Sequence, residues 1–471
     1  MSRLRRLLGS NVLALVAQQS ANVLASLGLQ IYLARRLTQE QFGTIGFIAG
    51  VIGLVVFIGQ LRMNILLTRQ VARAPESVRL AMGLAWRATH LLALPMALVG
   101  LGWVALQDGR PETLVATGLA LVGLYLSSLA LVPEAALQGL RQMRPIGPAW
   151  LLSRLALVIA TIAFVETATT VVSVYAAQVV GWMVLLGLMW RASRRHIGPA
   201  VAPQSTADVG AFLAATLPFA GIGFMAAVHV MSDIVILEWA RGPEEVAVYR
   251  VAALAVTNLP MISFFVVRAS YPRIAAKTND LDAAADEVSF SVRWMLLLGM
   301  PMALGGMLVA EPLIVALVGE RYAAAATIMW WLFPMVPLRF INNAVGSAML
   351  AMDQQRARFH AIVFTAVLNV ALNLVFIPRY GALAAAITTL LTEVVLNAWY
   401  GLSLHRVLPN VRYLRSFLTT LAPLAAMTAV VYATSSLHVG GRVFLGGLAY
   451  GVVLVVLGGL RRADLRRLVR L

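Results

Sequence analysis

Apolar runs of about twenty residues recur along this chain almost from end to end, and short stretches carrying most of the charge separate them. That repetition constrains the fold more than any other feature. About 20 mostly apolar residues wound as a helix match the hydrocarbon thickness of a bilayer. Such segments start near residues 12, 43, 80, 113, 146, 168, 211, 246, 294, 323, 358, 381, 415 and 441. The loops between them are short, and none could house a folded domain. The expected fold is therefore an all-α integral membrane protein of about 14 transmembrane helices. Composition agrees: 60% of residues are hydrophobic and 12% charged, whereas soluble domains are about 25% charged. The mean hydropathy is +0.84.

The net charge is +17, from 37 basic and 20 acidic residues, and every basic residue except Lys277 is arginine. A balance this basic raises nucleic acid as a partner, but that would need a basic face on a soluble fold. Here the arginines fall in short clusters between apolar segments, so no nucleic-acid partner is expected. Cysteine is absent, which excludes a disulfide framework, thiolate chemistry and a cysteine zinc site. The six histidines, at 90, 196, 229, 360, 405 and 438, lack metal-ligand spacing. Lys277, in "RIAAKTND", follows no glycine-rich loop, so no P-loop ATPase is present. Neither a metal nor another cofactor is expected. The start, "MSRLRRLLGSNVLALV", is basic and then apolar like a signal sequence, but no small-residue cleavage site follows. It reads as an uncleaved first helix.

The arginines test the count of helices independently. With the N-terminus cytoplasmic, the inner segments hold Arg3, Arg5, Arg6, Arg62, Arg69, Arg73, Arg79, Arg141, Arg144, Arg191, Arg194, Arg195, Arg268, Arg273, Lys277, Arg356, Arg358, Arg406, Arg412 and Arg415, and the tail adds five more from Arg461 to Arg470. That makes 25 inside, against seven outside: Arg35, Arg36, Arg110, Arg241, Arg321, Arg379 and Arg442. Positive charge favours the cytoplasmic side, and a miscount by one helix would scramble this alternation. Both termini are expected to be cytoplasmic.

A repeat emerges once the helices are placed. "LTQEQFGTIGFIAG" (37–50) aligns with "RGPEEVAVYRVAAL" (241–254) at a shift of 204 residues, and the same shift lays "TRQVAR" (68–73) over "PRIAAK" (272–277). Helices one to six then overlie helices seven to twelve. Six is even, so both halves enter the membrane in the same direction. Transporters built from parallel repeats place their substrate site at the interface between halves. The expected organisation is two parallel six-helix halves, 1–200 and 201–410, around a central cleft, with two extra C-terminal helices and a basic tail over 411–471.

Several segments resemble the polysaccharide flippases of the multidrug/oligosaccharidyl-lipid/polysaccharide exporter superfamily, and together they cover nearly the whole chain. "LARRLTQEQFGTIGFIAG" is similar to the family's acidic-Phe-Gly turn into the second helix. "SDIVILEWARGPEEVAVYRVAAL" is similar to its seventh helix and the turn that follows, and "SYPRIA" to the end of its eighth. "LVGERYAAAATIMWWLFP" and "LNLVFIPRYGALAAAITTLL" resemble the entries to helices ten and twelve, the last being the most specific. The chain departs from the pattern at Ala247, where a glycine is usual, and at "GALAAA".

The resemblance implies a transporter rather than an enzyme, in a bacterial cytoplasmic (inner) membrane. It would flip a polyprenyl-diphosphate-linked oligosaccharide from the cytoplasmic to the outer leaflet by alternating access, for surface polysaccharide such as O-antigen or exopolysaccharide. Implied partners are that lipid-linked oligosaccharide, membrane lipids, and the polysaccharide polymerase and ligase proteins that take the product. A peptidoglycan lipid-precursor flippase and a cation-coupled multidrug exporter share the superfamily. A polymerase or ligase enzyme would carry a long outer loop, and a cationic-drug exporter would want acidic cleft residues. The last two helices are expected to shelter the polyprenyl tail.

Polar residues inside apolar runs are the candidate site, because a charge at the centre of a helix costs roughly 2.5–3.5 kcal/mol on insertion scales. Arginine suits a diphosphate, since its fork offers two parallel hydrogen bonds. Arg154 in "LLSRLALVIA" and Arg339 in "PMVPLRFINNAVG" fall near mid-membrane, with prolines 334 and 337 expected to loosen the helix at Arg339. Glu393 lies at similar depth, so Arg339 is either a cargo contact or half of a structural pair. Gln18 and Asn22, four apart on one face of the first helix, suit sugar hydroxyls or helix–helix bonds. Asn369 and Asn373 repeat that spacing, and packing is favoured there. Arg62 and Arg268 occupy nearly equivalent repeat positions at the cytoplasmic mouth, as diphosphate contacts or as anchors. Glu134, Arg141 and Arg144 read as interfacial. Asp233 is expected to pair with Arg250 across a hairpin, with a proton or cation site of His229 and Asp233 as the competing reading.

Overall fold

A computed structural model describes residues 23, 25–203 and 205–459. Among these residues the chain is helical, without a β-strand. The first part holds α1 (25–36), α2 (Gln39–Gln60), α3 (Met63–Arg73), α4 (Val78–Gln107), α5 (Pro111–Gly139), α6 (Ile146–Thr167), α7 (Val171–His196) and α8 (Thr206–Arg241). The rest comprises α9 (Pro243–Asn258), α10 (Met261–Ala275), α11 (Leu281–Leu308), α12 (Ala310–Val318), α13 (Ala325–Leu332), α14 (Met335–Ala351), α15 (Gln355–His405), α16 (Tyr413–Ala433) and α17 (Val439–Val456). The fold separates into two compact units, Met1–Ala247 and Val248–Leu471.

Local chemistry sets many of the boundaries. Thr38 and Gln41 form a capping box at the start of α2: Thr38 Oγ1 accepts from the Gln41 N–H and Gln41 Oε1 from the Thr38 N–H, both at 3.1 Å. Gln41 also donates to the Thr169 carbonyl at 2.9 Å, fastening α2 to the turn before α7. Ser205 and Asp208 build the same box at α8. Leu61 and Arg62 both adopt left-handed φ values, 40° and 54°, and break α2 from α3. In the first unit α2 packs on α8 through small residues. A Cβ on Gly50 would lie 3.1 Å from Ile234 of α8, and one on Gly43 only 1.6 Å from the carbonyl oxygen of Pro243, the first residue of α9, so only glycine permits that second approach.

Nine helices among the described residues are long and apolar enough to cross a bilayer, or ten if the bent pair Pro243–Leu254 and Val256–Ala275 is one span. About fourteen were expected, and α15 accounts for part of the difference. At 1.5 Å per residue its 51 residues far exceed a hydrocarbon core of about 30 Å. Gly381, at φ 59° and ψ −141°, breaks it where the sequence places the start of a new span. Asn369 bonds Thr392 while Asn373 bonds Thr388. Moving up four residues on one leg moves down four on the other, so the legs are antiparallel and α15 is a helical hairpin.

Large apolar side chains cover the outside of several spans, among them Leu94 and Leu98 on α4, Ile159 on α6 and Phe444 and Val456 on α17. This is the pattern lipid requires, and the chain is a multi-pass membrane protein. In the second unit α16 and α17 dock on α11 through Leu297, Leu424, Met427 and Leu454, with the Tyr450 hydroxyl donating to the Leu297 carbonyl at 2.9 Å.

Candidate functional site

The second unit places one of the cations expected near mid-membrane in a polar network. α13 stops at Leu332 and α14 begins at Met335, so Pro334 and Pro337 occupy a break and a first helical turn, where a missing N–H leaves nothing unsatisfied. Arg339 follows, and its Nε donates to Glu393 Oε1 at 2.9 Å. Asn342, one turn along α14, donates to Glu393 Oε2 at 2.9 Å, and Asn397 caps the Glu393 carbonyl at the same distance. The Glu393 side chain is 5% exposed and that of Arg339 21%. Among the described residues the guanidinium is engaged only through Nε, so both Nη groups keep their donors for a further acceptor.

The first unit treats the other cation expected near mid-membrane differently. Arg154 on α6 lies 5.3 Å from the Trp150 ring centroid and 5.7 Å from that of Trp182 on α7. The two rings meet edge to face, at 6.0 Å and 81°. Ser153 donates to the Gly181 carbonyl at 2.9 Å, holding α6 against α7 beside this cage. Glu134 bonds elsewhere, accepting from Trp150 Nε1 at 3.0 Å and from Gln138 at 2.9 Å. Among the described residues no acidic side chain pairs with Arg154, and its buried Nε makes no hydrogen bond. Its charge is held by π-faces rather than cancelled.

The other expected site residues are spread more widely. Asp233 is buried and its Oδ1 accepts from the Ile234 N–H at 2.8 Å. His229, one turn earlier on α8, is half-buried. Asp233 belongs to the first unit, and Arg250, half-buried on α9, to the second. Arg62 and Arg268 are both exposed. Gln18 and Asn22 lie outside the described residues. Asn369 and Asn373 are fully buried in the α15 hairpin, where Asn373 donates to Asn369 Oδ1 at 3.0 Å and accepts from Thr388.

Sequence reasoning passed over Asn342, Asn397 and the tryptophan cage. Asn342 stands three residues after Arg339, a spacing that shares a helix face. Trp182 comes from another helix and carries no such signal. Glu238, near the end of α8, was passed over as well; it is buried and its Oε2 has no hydrogen-bond partner.

Three of the arginines expected outside the membrane, Arg36, Arg110 and Arg241, form ion pairs. Arg110 grips Asp108 through Nε (2.7 Å) and Nη2 (2.8 Å) and also contacts Glu40. Thr113 donates to the same carboxylate at 2.9 Å. Burial alone would raise the Asp108 pKa, but the hydrogen bonds from Arg110 and Thr113 outweigh it and hold the carboxyl below its usual 3.8. Arg36 pairs with Glu166 at 2.7 Å and Arg241 with Glu245 at 2.8 Å.

Residues 8–278 match the model of a family described as "Polysaccharide biosynthesis protein". No curated protein matches the chain by sequence. Among solved structures it is similar to a lipid II flippase, MurJ, in an inward closed conformation, with a TM-score of 0.75 at 13% identity over 95% of this chain and 98% of that one. An inward-facing multidrug resistance MATE family transporter of the MOP superfamily matches with a TM-score of 0.68 at 14% identity, covering 83% of this chain and 94% of that one. A MOP superfamily transporter from Pyrococcus furiosus matches at 0.56 and 13% identity over 84% and 94%. At these identities the likeness is one of fold.

Proposed function

This chain belongs to the polysaccharide biosynthesis protein family, with the fold of MOP superfamily transporters, and from that premise we propose that it flips a polyprenyl-diphosphate-linked oligosaccharide across the bilayer by alternating access. The observation that carries this reading is a pair of mid-membrane guanidiniums with donors to spare. Among the described residues Arg154 is bonded to no acidic side chain, and Arg339 gives only Nε to Glu393. A diphosphate is the anion such donors suit, through charge-assisted and two-pronged hydrogen bonds. In a low-dielectric setting they would repel a cationic drug, which weighs against drug export. Sugars on the lipid would find amides such as Asn342 within reach of the same cation.

A second reading is the flipping of a peptidoglycan lipid precursor, favoured by the likeness to the lipid II flippase over 98% of its length. Both cargoes present a diphosphate, so the arginines would serve either. The test uses cells lacking this protein. Their polyprenyl-diphosphate glycans are extracted and their leaflet assigned with a membrane-impermeant probe of the sugar. Accumulation of non-peptidoglycan oligosaccharide on the cytoplasmic side, relieved by the wild-type chain, is the expected result. Accumulation of peptidoglycan precursor instead would move the cargo to the second reading. Outward-facing intermediates at normal levels would exclude both.

A further inference from the structure

The cage around Arg154 is itself supported from α5. Trp150 turns its face to Arg154, with the guanidinium carbon 5.3 Å from the ring centroid, and its N–H edge to Glu134, whose Oε2 accepts from Nε1 at 3.0 Å. The carboxyl is fixed in rotation, because Gln138, one turn on, donates to its Oε1 at 2.9 Å. The turn of α5 that carries Glu134 is held as well. Pro133 lacks the N–H that would meet the Leu129 carbonyl, and Trp86 Nε1 donates there instead, at 3.1 Å. α5 also backs the second ring: a Cβ on Gly123 would lie 3.2 Å from Trp182 Cδ1. Trp150 and Arg154, four residues apart, share one face of α6. Carboxyl, indole and guanidinium therefore form one chain of contacts across α5 and α6.

Each link acts on the next. A hydrogen bond accepted from an indole N–H fixes the orientation of the ring. It also pushes electron density into the ring, since hydrogen-bonded groups polarise one another in a low dielectric. A more negative ring face attracts a cation more strongly. A carboxylate bonded directly to Arg154 would occupy the donors of the guanidinium, which has N–H groups and no acceptor. An interposed indole supports the charge and occupies none of them, and Arg154 Nε indeed makes no hydrogen bond. Resting on the reading of Arg154 as a cargo contact, we propose that Glu134 is a positioning residue that acts on Arg154 through the Trp150 ring. It holds the guanidinium in place while leaving its N–H groups for a phosphate.

The experiment uses the purified full chain in detergent, with polyprenyl diphosphate carrying no sugar as the probe. Binding is followed by intact-complex mass spectrometry, and thermal unfolding is measured in parallel. Glu134→Leu removes the acceptor and should weaken binding about fivefold, within the ~2–30-fold that a cation–π contact supports. Glu134→Gln, whose amide oxygen still accepts from the indole, should recover to within about twofold of wild type. Trp150→Phe keeps a ring but no N–H, and in that background Glu134→Leu should weaken binding no further. A further loss there would mean that Glu134 acts by packing or through space, and would overturn the assignment. So would wild-type binding by Glu134→Leu beside weak binding by Arg154→Met. If Glu134→Leu fails to fold, Trp150→Phe alone should weaken binding about as much, and wild-type binding by it would count against the relay. Wild-type binding by Arg154→Met would instead sink the cargo reading, and unfolding then decides the relay by itself. The melting shifts of Glu134→Leu and Arg154→Met should fail to add in the otherwise wild-type chain and should add in Trp150→Phe. Additive shifts in both backgrounds would overturn the relay whatever the binding shows.

Discussion

Arg339 on α14 shares its charge with Glu393 and, through that carboxylate, with Asn342. Arg154 on α6 lies against the rings of both Trp150 and Trp182 with no described acidic partner. Arg154 stands in the middle of the apolar α6 and Arg339 near the start of α14, and in lipid a lone charge is costly. The first arrangement is neutral as a pair and rigid, because both carboxylate oxygens and the glutamate's own carbonyl are engaged. The second keeps a net positive charge in place and tolerates it through ring quadrupoles. A site for an anion can use either, but removing a partner has very different consequences in the two. That difference is measurable.

The largest effect should come from Glu393→Ala. It leaves Arg339 and Asn342 without their acceptor, and breaking a buried pair from one side typically costs about 3–5 kcal/mol. Thermal unfolding in detergent should fall accordingly. Replacing both partners with leucine should recover most of that stability, since well-packed apolar substitutes for a buried pair are often neutral. Flipping should stay lost in the double variant. If flipping returned with stability, Arg339 would be structural and the cargo contact would lie elsewhere.

Next in size is Arg339→Lys. An ammonium can still meet Glu393, so the melting temperature should stay near wild type. The fork is gone, and transport should drop roughly tenfold, the equivalent of about 1.4 kcal/mol. Arg154→Ala should show the reverse balance from Glu393→Ala. A cation–π contact contributes about 0.5–2 kcal/mol, so stability changes modestly while flipping falls more. A variant equally impaired in both would make the tryptophan cage a structural feature only. Asn373→Ala in the α15 hairpin should be smaller again, about 1 kcal/mol or less, as for other interhelical hydrogen bonds in lipid.

These contrasts also explain what the sequence could and could not convey. Arg339, Glu393 and Asp233 were legible because a charge in an apolar run is rare and has few partners to choose from. Gly381 was legible as the start of a span, since "PRYGALAAA" combines a helix breaker with a fresh apolar run. The tryptophan cage was not: Trp150 and Trp182 lie on two helices, and neither departs from what a bilayer-facing helix ordinarily carries. Periodicity and composition report what one helix does in lipid, whereas a cage built across two helices is a property of packing.

The smallest predicted effect sharpens the comparison by moving it out of the membrane. Asp108 and Arg110, between α4 and α5, form a forked pair whose energy is screened by water, as Arg110 is 47% exposed. The folded-state pKa of Asp108 lies below its usual 3.8. Its contribution to stability is therefore present above that value and is lost as the pH falls through the lower, folded-state one. Unfolding measured at stepped pH should show Arg110→Ala slightly less stable than wild type at neutral pH. The two should converge only below about pH 4. A pH-independent difference would mean that Arg110 acts through packing against Glu40 and α5 rather than through charge.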